Sequence, residues 1–303
     1  MAGMLTSMAR LHRWFRHACT LLATVGISAA PRISAQPEPA CASSSPAQTL
    51  RLAATNAPLS IVGLEGLFDT FPSLDSNRAD CVALIETEDA PDIREDIKKP
   101  GGLWKVRRLV ARITALSGAN CFLFHYTQLK RDTFASRPHV KAIVLRAWKK
   151  PRHDESREEL YALIRDTRIP MIGFCGGFHQ IYYAYGGEGT PLRRLRPGEK
   201  DPNPTYNPGV FKEWGPTKIK ITARDPLLDG FGESLVIHEM HAFQCSRLPQ
   251  EFINMAETDE CHIQIIKHRD KALYGTQSHP EVYDDSVQDG KRLLLNFFKI
   301  AGL

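Results

Sequence analysis

The sequence predicts an α/β fold in which helices cover both faces of a mostly parallel central sheet. Short apolar segments of strand length recur from residue 81 onward, and amphipathic segments of helical length lie between them. This alternation is typical of β-α-β units. The chain has 303 residues, of which 43% are hydrophobic and 24% charged, as expected of a folded domain.

The predicted elements follow in order along the chain. Before residue 180 we expect strands at Cys81–Glu86, Cys121–Phe124, Val140–Leu145 and Pro170–Cys175, and helices at Leu103–Leu116 and Glu158–Ile164. Residues 186–216 are rich in Gly, Pro, Arg and Asn, which indicates a long irregular stretch or a lid. Antiparallel strands are then predicted at Lys218–Thr222, Ser234–His238 and Cys261–Lys267. Ala272–Gln277 leads into the His-Pro-Glu segment, and Gly290–Ile300 is predicted to be a closing amphipathic helix.

The first 35 residues differ from the rest. They contain no Asp or Glu, and three arginines precede an apolar run of small residues at Ala18–Ala30, with a suitable cleavage site near Ile33–Ala35. This pattern predicts a signal peptide at 1–35 and a periplasmic or secreted protein. A mitochondrial transit segment, or an uncleaved leader on a cytoplasmic protein, is the alternative. Residues 36–78 are interpreted as a linker or N-terminal extension, and residues 79–303 as the folded domain.

Charge and hydropathy give no reason to predict nucleic-acid binding or an integral membrane domain. The net charge is +5, but removing the leader's four arginines from the 39 basic residues leaves 35, against 34 acidic residues. A nearly neutral mature chain gives no reason to expect nucleic-acid binding. No apolar run reaches the roughly 18 residues of a membrane span, so no integral membrane domain is expected in the mature chain. Seven cysteines are present without a C-x-x-C motif, and their spacing predicts no pairing.

The segment around Cys175 predicts a nucleophile at a strand-to-helix turn. Gly173 and Gly177 lie two residues to either side, and small residues there permit a tight turn. The start of the following helix favours a thiolate, and the N–H of Gly176 is suited to an oxyanion. The alternative is a glycine-rich turn with a buried structural cysteine.

His279 and Glu281 are the candidate base and its orienting group. A thiol nucleophile needs a base, and the base needs an acceptor that orients it. The two residues are two apart, so an extended segment places both side chains on one face. A surface loop with a turn fixed by Pro280 is the alternative interpretation.

Together these segments resemble the class I glutamine amidotransferase family over roughly residues 80–303. The match rests on the cysteine turn at Ile169–Gly177 and the His-Pro-Glu segment at Gly275–Glu281. Weaker landmarks lie between and after these motifs, at Glu213–Gly215, Asp225–Gly230, Val236–His241, Leu248–Pro249 and Asp289–Phe297. The resemblance implies a flavodoxin-like three-layer sandwich with an antiparallel extension. It implies that Cys175 attacks a γ-glutamyl amide to form a thioester, that His279 transfers protons, and that Glu281 orients His279.

The sequence departs from the family pattern around the expected substrate pocket. Ala147 and Trp148 stand where a Gly-Gly loop usually donates to the oxyanion, and His179 stands where the family's glutamine-binding Gln lies, with Gln180 one residue later. Ser278 replaces an aromatic residue. The resemblance places His241 beside the pocket. The predicted oxyanion and substrate-binding set is therefore Gly176, Ala147, Trp148, His179, Gln180 and His241.

No metal or cofactor is predicted. The group His238, His241, Cys245 and His262 contains metal-ligating residue types, but its H-x-x-H spacing does not match H-E-x-x-H.

The leading functional prediction is a cysteine-dependent amidohydrolase that acts on a γ-glutamyl or related small amide. An exported protein without a following synthase domain favours hydrolysis over ammonia transfer. A binding or sensing module with weakened catalysis is the first alternative, indicated by Arg146–Trp148. A protease-like relative is the second, disfavoured because Gly176 rather than a base follows Cys175. The sequence predicts no oligomeric state.

Overall fold

The computed structural model describes residue 74 and residues 79–93, 102–147 and 155–303. The predicted signal peptide, nearly all of the predicted linker, and Trp148 lie outside these residues. Within the described part of the chain, no helix has the length and apolar character needed to cross a membrane.

Nine strands of the described residues form one sheet with four helices against it. The strands are β1 (Cys81–Glu86), β2 (Asn120–His125), β3 (Val140–Ala147), β4 (Met171–Cys175), β6 (Glu213–Ile221), β7 (Ser234–His241), β9 (Phe252–Glu257), β10 (Ile265–His268) and β11 (Leu273–Thr276). The helices are α1 (Gly102–Ser117), α2 (Glu155–Asp166), α3 (Gly176–Ala184) and α4 (Asp289–Ile300). Two further strands, β5 (Glu188–Pro191) and β8 (Phe243–Arg247), pair with each other.

The strand order is β2-β1-β3-β4-β11-β10-β9-β6-β7. The first five strands are parallel to one another, and every pair from β11/β10 onward is antiparallel. The predicted fold class, a mostly parallel central sheet with an antiparallel extension, is therefore confirmed. Because β4 and β11 are adjacent and parallel, the segments that follow Cys175 and Thr276 emerge at the same edge of the sheet.

Alternating side chains of the parallel strands build two apolar cores, one on each face of the sheet. One core joins Val82, Leu84 and Val144 to residues of α1 and α4, and the other joins Ala83, Ile85 and Leu145 to residues of α2 and α3. This division explains why the parallel strands read as continuous apolar runs, since both faces are covered. The three layers predicted from the sequence are thus present.

Several predicted elements differ from those observed. The sequence predicts one strand at Cys261–Lys267, but β10 is Ile265–His268 and Cys261 lies in the connection before it. The predicted start of this strand is wrong. Cys261 is apolar and buried, as a strand residue would be, but its carbonyl accepts from the backbone N–H of Thr258, so the chain turns there. Residues 186–216, predicted to be irregular, contain β5 and the start of β6. The strands β8 and β9 were not predicted, because polar residues interrupt their apolar pattern.

The start of α3 packs directly against the backbone at the end of β3. A Cβ atom at Gly177 would lie 2.1 Å from the carbonyl oxygen of Leu145, and one at Gly176 would lie 2.6 Å from the carbonyl oxygen of Ala147. Such distances are far below ordinary contact. Only glycine lets the helix approach the strand this closely.

We therefore expect Gly177→Ala to lower the free energy of unfolding by about 1–3 kcal/mol, the usual range for overpacking a well-filled site. The reason is that the added methyl group meets main-chain atoms of β3, which cannot rotate away. Thermal and denaturant unfolding measure the effect. Gly232→Ala is the matched control, since no atom lies within 4 Å of the position that its Cβ would take, and its stability should be unchanged. Equal stabilities for the two variants would contradict this packing account.

Candidate active site

Cys175 lies at the junction of β4 and α3 in a conformation that side-chain-bearing residues rarely adopt. Its φ is 46° and its ψ is −105°, and the side chain is only 8% exposed. Such backbone strain costs of the order of 1–3 kcal/mol and clusters at functional sites. The turn holds the sulfur at the carboxyl edge of the sheet and before a helix N-terminus.

His279 follows β11 and is fixed by both backbone and side chain. Its backbone N–H donates to the carbonyl of His238 in β7, at 2.8 Å. Its Nδ1 lies 2.8 Å from Glu281 Oε1, and its side chain is also hydrogen-bonded to that of Cys175. The structure thus brings together the three residues that the sequence singled out for catalysis.

The electrostatic setting of His279 favours an imidazolium. Burial alone lowers its pKa, but the charges of Glu281 and Cys175 and the hydrogen bonds to both outweigh burial and hold the pKa well above its ordinary value. A protonated imidazole beside a sulfur stabilises the thiolate form. The arrangement therefore supports a thiolate–imidazolium pair with Glu281 as the group that orients the ring.

The loop that carries Glu281 is held by α1. The guanidinium of Arg112 donates to the carbonyl of Glu281 and, at 2.7 Å, to that of Tyr283. It also lies 4.0 Å from the centre of the Tyr283 ring. These contacts fix the carboxylate that in turn orients the base.

Comparison with known proteins identifies the family. The model of the family "Glutamine amidotransferase class-I" matches residues 110–301, which is more than half of the chain. The chain belongs to the class I glutamine amidotransferase family.

Individual relatives are more distant. Over 140 residues this chain is 31% identical to a glutamine-hydrolysing GMP synthase subunit of Methanosarcina mazei, and over 138 residues it is 33% identical to that of Methanosarcina acetivorans. Each match covers 46% of this chain, with 64% and 63% of the respective relative. The chain therefore spans less than two thirds of the length of these relatives.

Solved structures share the fold at low sequence identity. A protein of the GMP synthase subunit type from Thermoplasma acidophilum aligns with a TM-score of 0.53 and 19% identity, over 74% of this chain and 94% of that one. A glutamine amidotransferase from Thermotoga maritima aligns with a TM-score of 0.50 and 12% identity, over 73% and 97% of the two chains. Both likenesses support the fold of the amidotransferase domain.

Gln277 is a further site residue. It lies in the Gly275–Glu281 motif, but no role was predicted for it from the sequence. Its amide Nε2 lies 3.7 Å from Cys175 Sγ, and its Oε1 accepts from His179 Nε2 at 3.0 Å. Burial lowers the pKa of His179 to about 4, with the Gln277 hydrogen bond opposing and His241 adding to the shift, so His179 is neutral at physiological pH. His179, in the place of the family's Gln, therefore aims an amide donor at the nucleophile. The spacing of two between Gln277 and His279 was the signal available in the sequence.

The other predicted binding residues are distributed differently. Gly176 begins α3, whose first N–H groups have no acceptor within the helix, and Ala147 is the register partner of Cys175 on β3. Gln180 instead accepts from Arg157 and donates to the carbonyl of Gly176, at 3.1 and 3.4 Å, so its amide is used to support α3.

Arg146, one of the departures from the family pattern, forms a buried ion pair. Its guanidinium donates to the carboxylate of Glu86, at the end of the neighbouring strand β1, and its carbonyl accepts from the backbone N–H of Thr87 at 2.8 Å. The residue therefore joins the carboxyl ends of β1 and β3, immediately before the position where the family's glycine loop is expected.

His241 lies in a second buried cluster with Glu213, Glu239 and Cys261. His241 Nε2 is 2.9 Å from Glu213 Oε2 and 3.3 Å from Glu239 Oε2. Burial lowers the pKa of His241, but the adjacent carboxylates of Glu213, which is hydrogen-bonded to Nε2, and Glu239 raise it to about 10. His238, another histidine of the group considered from the sequence, has its Nε2 3.8 Å from Asp284 Oδ2.

Residues 192–212 connect β5 to β6 and include Tyr206, which interacts electrostatically with Cys175. Burial and the charge of Cys175 raise the pKa of Tyr206 to about 12 despite its hydrogen bonds. Lys212 holds the segment together by donating to Asp201 at 2.7 Å. Arg193 pairs with both Glu199 and Glu260 and ties the segment to the β9–β10 connection. A cavity of about 650 Å³ lies instead at the amino edge of the sheet, beside Val140 and Ile169.

The described cysteines differ in their suitability for alkylation. Cys81, Cys121, Cys175, Cys245 and Cys261 are all free thiols. Burial is the largest cause that raises the pKa of Cys81 to about 11 and of Cys245 to about 12, and it also raises those of Cys121 and Cys261. Among these five thiols, we expect Cys175 to react first with iodoacetamide near pH 7.

We expect Glu281→Gln to slow alkylation of Cys175 at pH 7 by about tenfold or more. A fall of one unit in the pKa of His279 lowers the affinity of its ring for a proton tenfold. Glu281 holds that pKa above its ordinary value, so its removal depopulates the imidazolium as pH rises toward neutrality, and the thiolate loses its partner. The rate of labelling at Cys175, followed by peptide mass spectrometry across pH, measures the effect.

Glu233→Gln is the control for this measurement, because it removes an exposed carboxylate and should leave the profile unchanged. An unaltered pH profile in Glu281→Gln would show that Glu281 does not govern the ionisation of the pair.

Proposed function

We propose that the chain is a cysteine-dependent amidohydrolase that cleaves the side-chain amide of glutamine or a related γ-glutamyl amide through a thioester. The observation that carries the proposal is the strained turn at Cys175 beside a hydrogen-bonded His279–Glu281 pair. A thiolate, an adjacent proton carrier and an orienting carboxylate are the groups that acyl transfer requires. Membership of the amidotransferase family supports the same chemistry.

In the proposed reaction, the Cys175 thiolate adds to the amide carbon and the carbonyl electrons move to oxygen. The backbone N–H of Gly176 stabilises this oxyanion, with the residues after Ala147 as the expected second donor. The imidazolium of His279 protonates the leaving nitrogen, so ammonia departs and an acyl thioester remains. Neutral His279 then takes a proton from water, the hydroxide adds to the thioester, and the carboxylic acid is released as the thiol reforms.

The proposed role of Gln277 is to hold the sulfur in place. An amide N–H donor stabilises an anionic sulfur more than a neutral thiol, because hydrogen bonds to charged acceptors are stronger. Its other end accepts from His179, whose neutral imidazole supplies one ring hydrogen. We infer that this pair takes over part of what the family's Gln does at the position of His179.

Weakened catalysis with retained binding is the second candidate, and one observation favours it. His279 is 2% exposed and Cys175 is 8% exposed, so a substrate reaches the sulfur only if neighbouring residues move. If residues 192–212 are among those that move, the Lys212–Asp201 and Arg193–Glu260 ion pairs that hold them must break. This candidate predicts slow or absent turnover with Cys175 still reactive.

Ammonia release decides between the two candidates. We expect the full-length chain to release ammonia from glutamine or a γ-glutamyl amide, and Cys175→Ala to lose this activity by about 10³-fold or more, as expected when a nucleophile is removed. Coupled ammonia detection measures it, and a thioester trapped by rapid acid quench identifies the intermediate. Cys121→Ala, which changes a thiol on β2, is the matched control and should retain activity.

Equal ammonia release by the wild type and Cys175→Ala would overturn the proposal. Cleavage of short peptides in preference to side-chain amides would favour the protease-like alternative.

We also propose that the mature protein acts outside the cytoplasm and hydrolyses its substrate without a synthase partner. The acid-free, arginine-bearing leader supports export. The named relatives are subunits of glutamine-hydrolysing GMP synthase, so an ammonia-receiving partner is the competing arrangement. N-terminal sequencing of protein expressed with its leader in a Gram-negative host is expected to give a mature chain beginning near residue 36. A soluble chain that retains residue 1 in the cytoplasm would remove the basis for export.

A further inference from the structure

A second group of buried ionisable side chains lies outside the proposed catalytic set. Glu213 begins β6, Glu239 and His241 end β7, and Cys261 lies in the connection between β9 and β10. All four are buried, and Glu239 and Cys261 are fully so. They come from three segments that are distant in sequence and that meet only in the antiparallel part of the sheet.

The spacing of three of these residues suits one tetrahedral ion, and Glu239 lies next to His241 as the neighbour that would supply a fourth ligand. Zinc bonds to nitrogen and oxygen are about 2.0–2.1 Å long, which gives about 3.3 Å between two such ligands on a tetrahedron. His241 Nε2 lies 2.9 Å from Glu213 Oε2 and 3.3 Å from Glu239 Oε2. Ligand-type atoms of Glu213, His241 and Cys261 all lie within 4.8 Å of one another. The thiol therefore needs a shift of about 1 Å to join the other two, and Glu239, which lies outside this group of three, must also move toward the ion.

The surroundings of the cluster match those of a metal site. His241 Nδ1 lies 2.8 Å from the carbonyl of Phe243, which can only accept, so Nδ1 carries a hydrogen and Nε2 faces the carboxylates. Glu213 accepts from Thr258 Oγ1 and, at 2.6 Å, from Gln264 Nε2. Histidine ligands usually donate their other ring hydrogen to a carbonyl, and ligating carboxylates are themselves hydrogen-bonded.

Glu239 supplies an independent indication of a missing cation. It is fully buried, and neither of its carboxylate oxygens has a hydrogen-bond donor of good geometry among the described residues. A protonated His241 has one Nε2 hydrogen, which the closer Glu213 occupies at 2.9 Å. A buried carboxylate without a donor is strongly unfavourable, and a bound cation relieves it directly.

We propose that Glu213, Glu239, His241 and Cys261 bind a divalent transition-metal ion, with Zn²⁺ as the best match. A mixed sulfur, nitrogen and oxygen set in tetrahedral spacing is characteristic of zinc. Binding releases the thiol hydrogen of Cys261 and any Nε2 hydrogen of His241 to solvent as protons, and forms the four metal–ligand bonds. Because four protein ligands close the coordination, the ion is structural and leaves no position for substrate.

The position of the cluster suggests what the ion stabilises. It joins the start of β6 and the end of β7 to the β9–β10 connection, and β7 provides the His238 carbonyl that accepts from the backbone of His279. An ion in this place would therefore fix the hairpin against which the proposed base is held.

The test uses the full-length chain without an affinity tag that binds metals. We expect about one equivalent of zinc per chain by elemental mass spectrometry. After removal of the zinc with a chelator, Co²⁺ should give the intense visible absorption of tetrahedral cobalt and a thiolate-to-cobalt charge-transfer band. The Cys261→Ser variant should lose the charge-transfer band, and Glu239→Gln should bind Co²⁺ about tenfold or more weakly.

Two controls locate the ion. Cys175→Ala must retain the band, because Cys175, His279 and Glu281 form another thiol–imidazole–carboxylate set. Cys245→Ser must retain it as well, since Cys245 is a buried thiol outside the cluster. Loss of the band in Cys175→Ala but not in Cys261→Ser would overturn the proposal, as would purified protein that neither contains zinc nor binds Co²⁺. If Cys261→Ser fails to fold, the Co²⁺ affinity of Glu239→Gln decides, and an unchanged affinity overturns the proposal.

Discussion

The close approach of α3 to the end of β3 is the constraint on which the active-site arrangement depends. Gly176 and Gly177 let helix and strand backbones touch, and the chain reaches that contact only by turning through a strained conformation at Cys175. The strain is held by the apolar core behind it, in which α3 is buried against the sheet. Packing elsewhere in the domain thus offsets the strain at Cys175 and holds the nucleophile at the carboxyl edge of the sheet.

Adjacent parallel strands explain how two distant segments form one site. Since β11 pairs with β4, the chain that leaves β11 runs beside the cysteine turn, and His279 lies between the sulfur and Glu281. Charge then organises the site: an imidazolium is favoured next to an anionic carboxylate and a sulfur that ionises. Neutral His179, acting through Gln277, adds a directed donor without adding another charge.

The antiparallel extension contributes more than additional strands. The end of β7 carries the carbonyl that fixes the backbone of His279, and the same hairpin holds the carboxylates and imidazole of the second cluster. The segment between β5 and β6 interacts electrostatically with the nucleophile through Tyr206 and is held by ion pairs that include Glu260. The support for the base and the candidate metal site therefore belong to one region of the fold.

The sequence by itself predicted the fold class and the turn at Cys175, because strand and helix periodicity and the constraints on a tight turn are local properties. Its motifs also carried the resemblance to the family and indicated His279 and Glu281 as the partners of Cys175. It did not determine the role of Gln277, the use of Gln180 to support α3, or the meeting of Glu213, Glu239 and Cys261. Cys261 was even assigned to a strand. Those features depend on which strands are neighbours and which way a side chain points, and only the tertiary structure decides these, since contacts between distant segments leave no periodic trace in the chain.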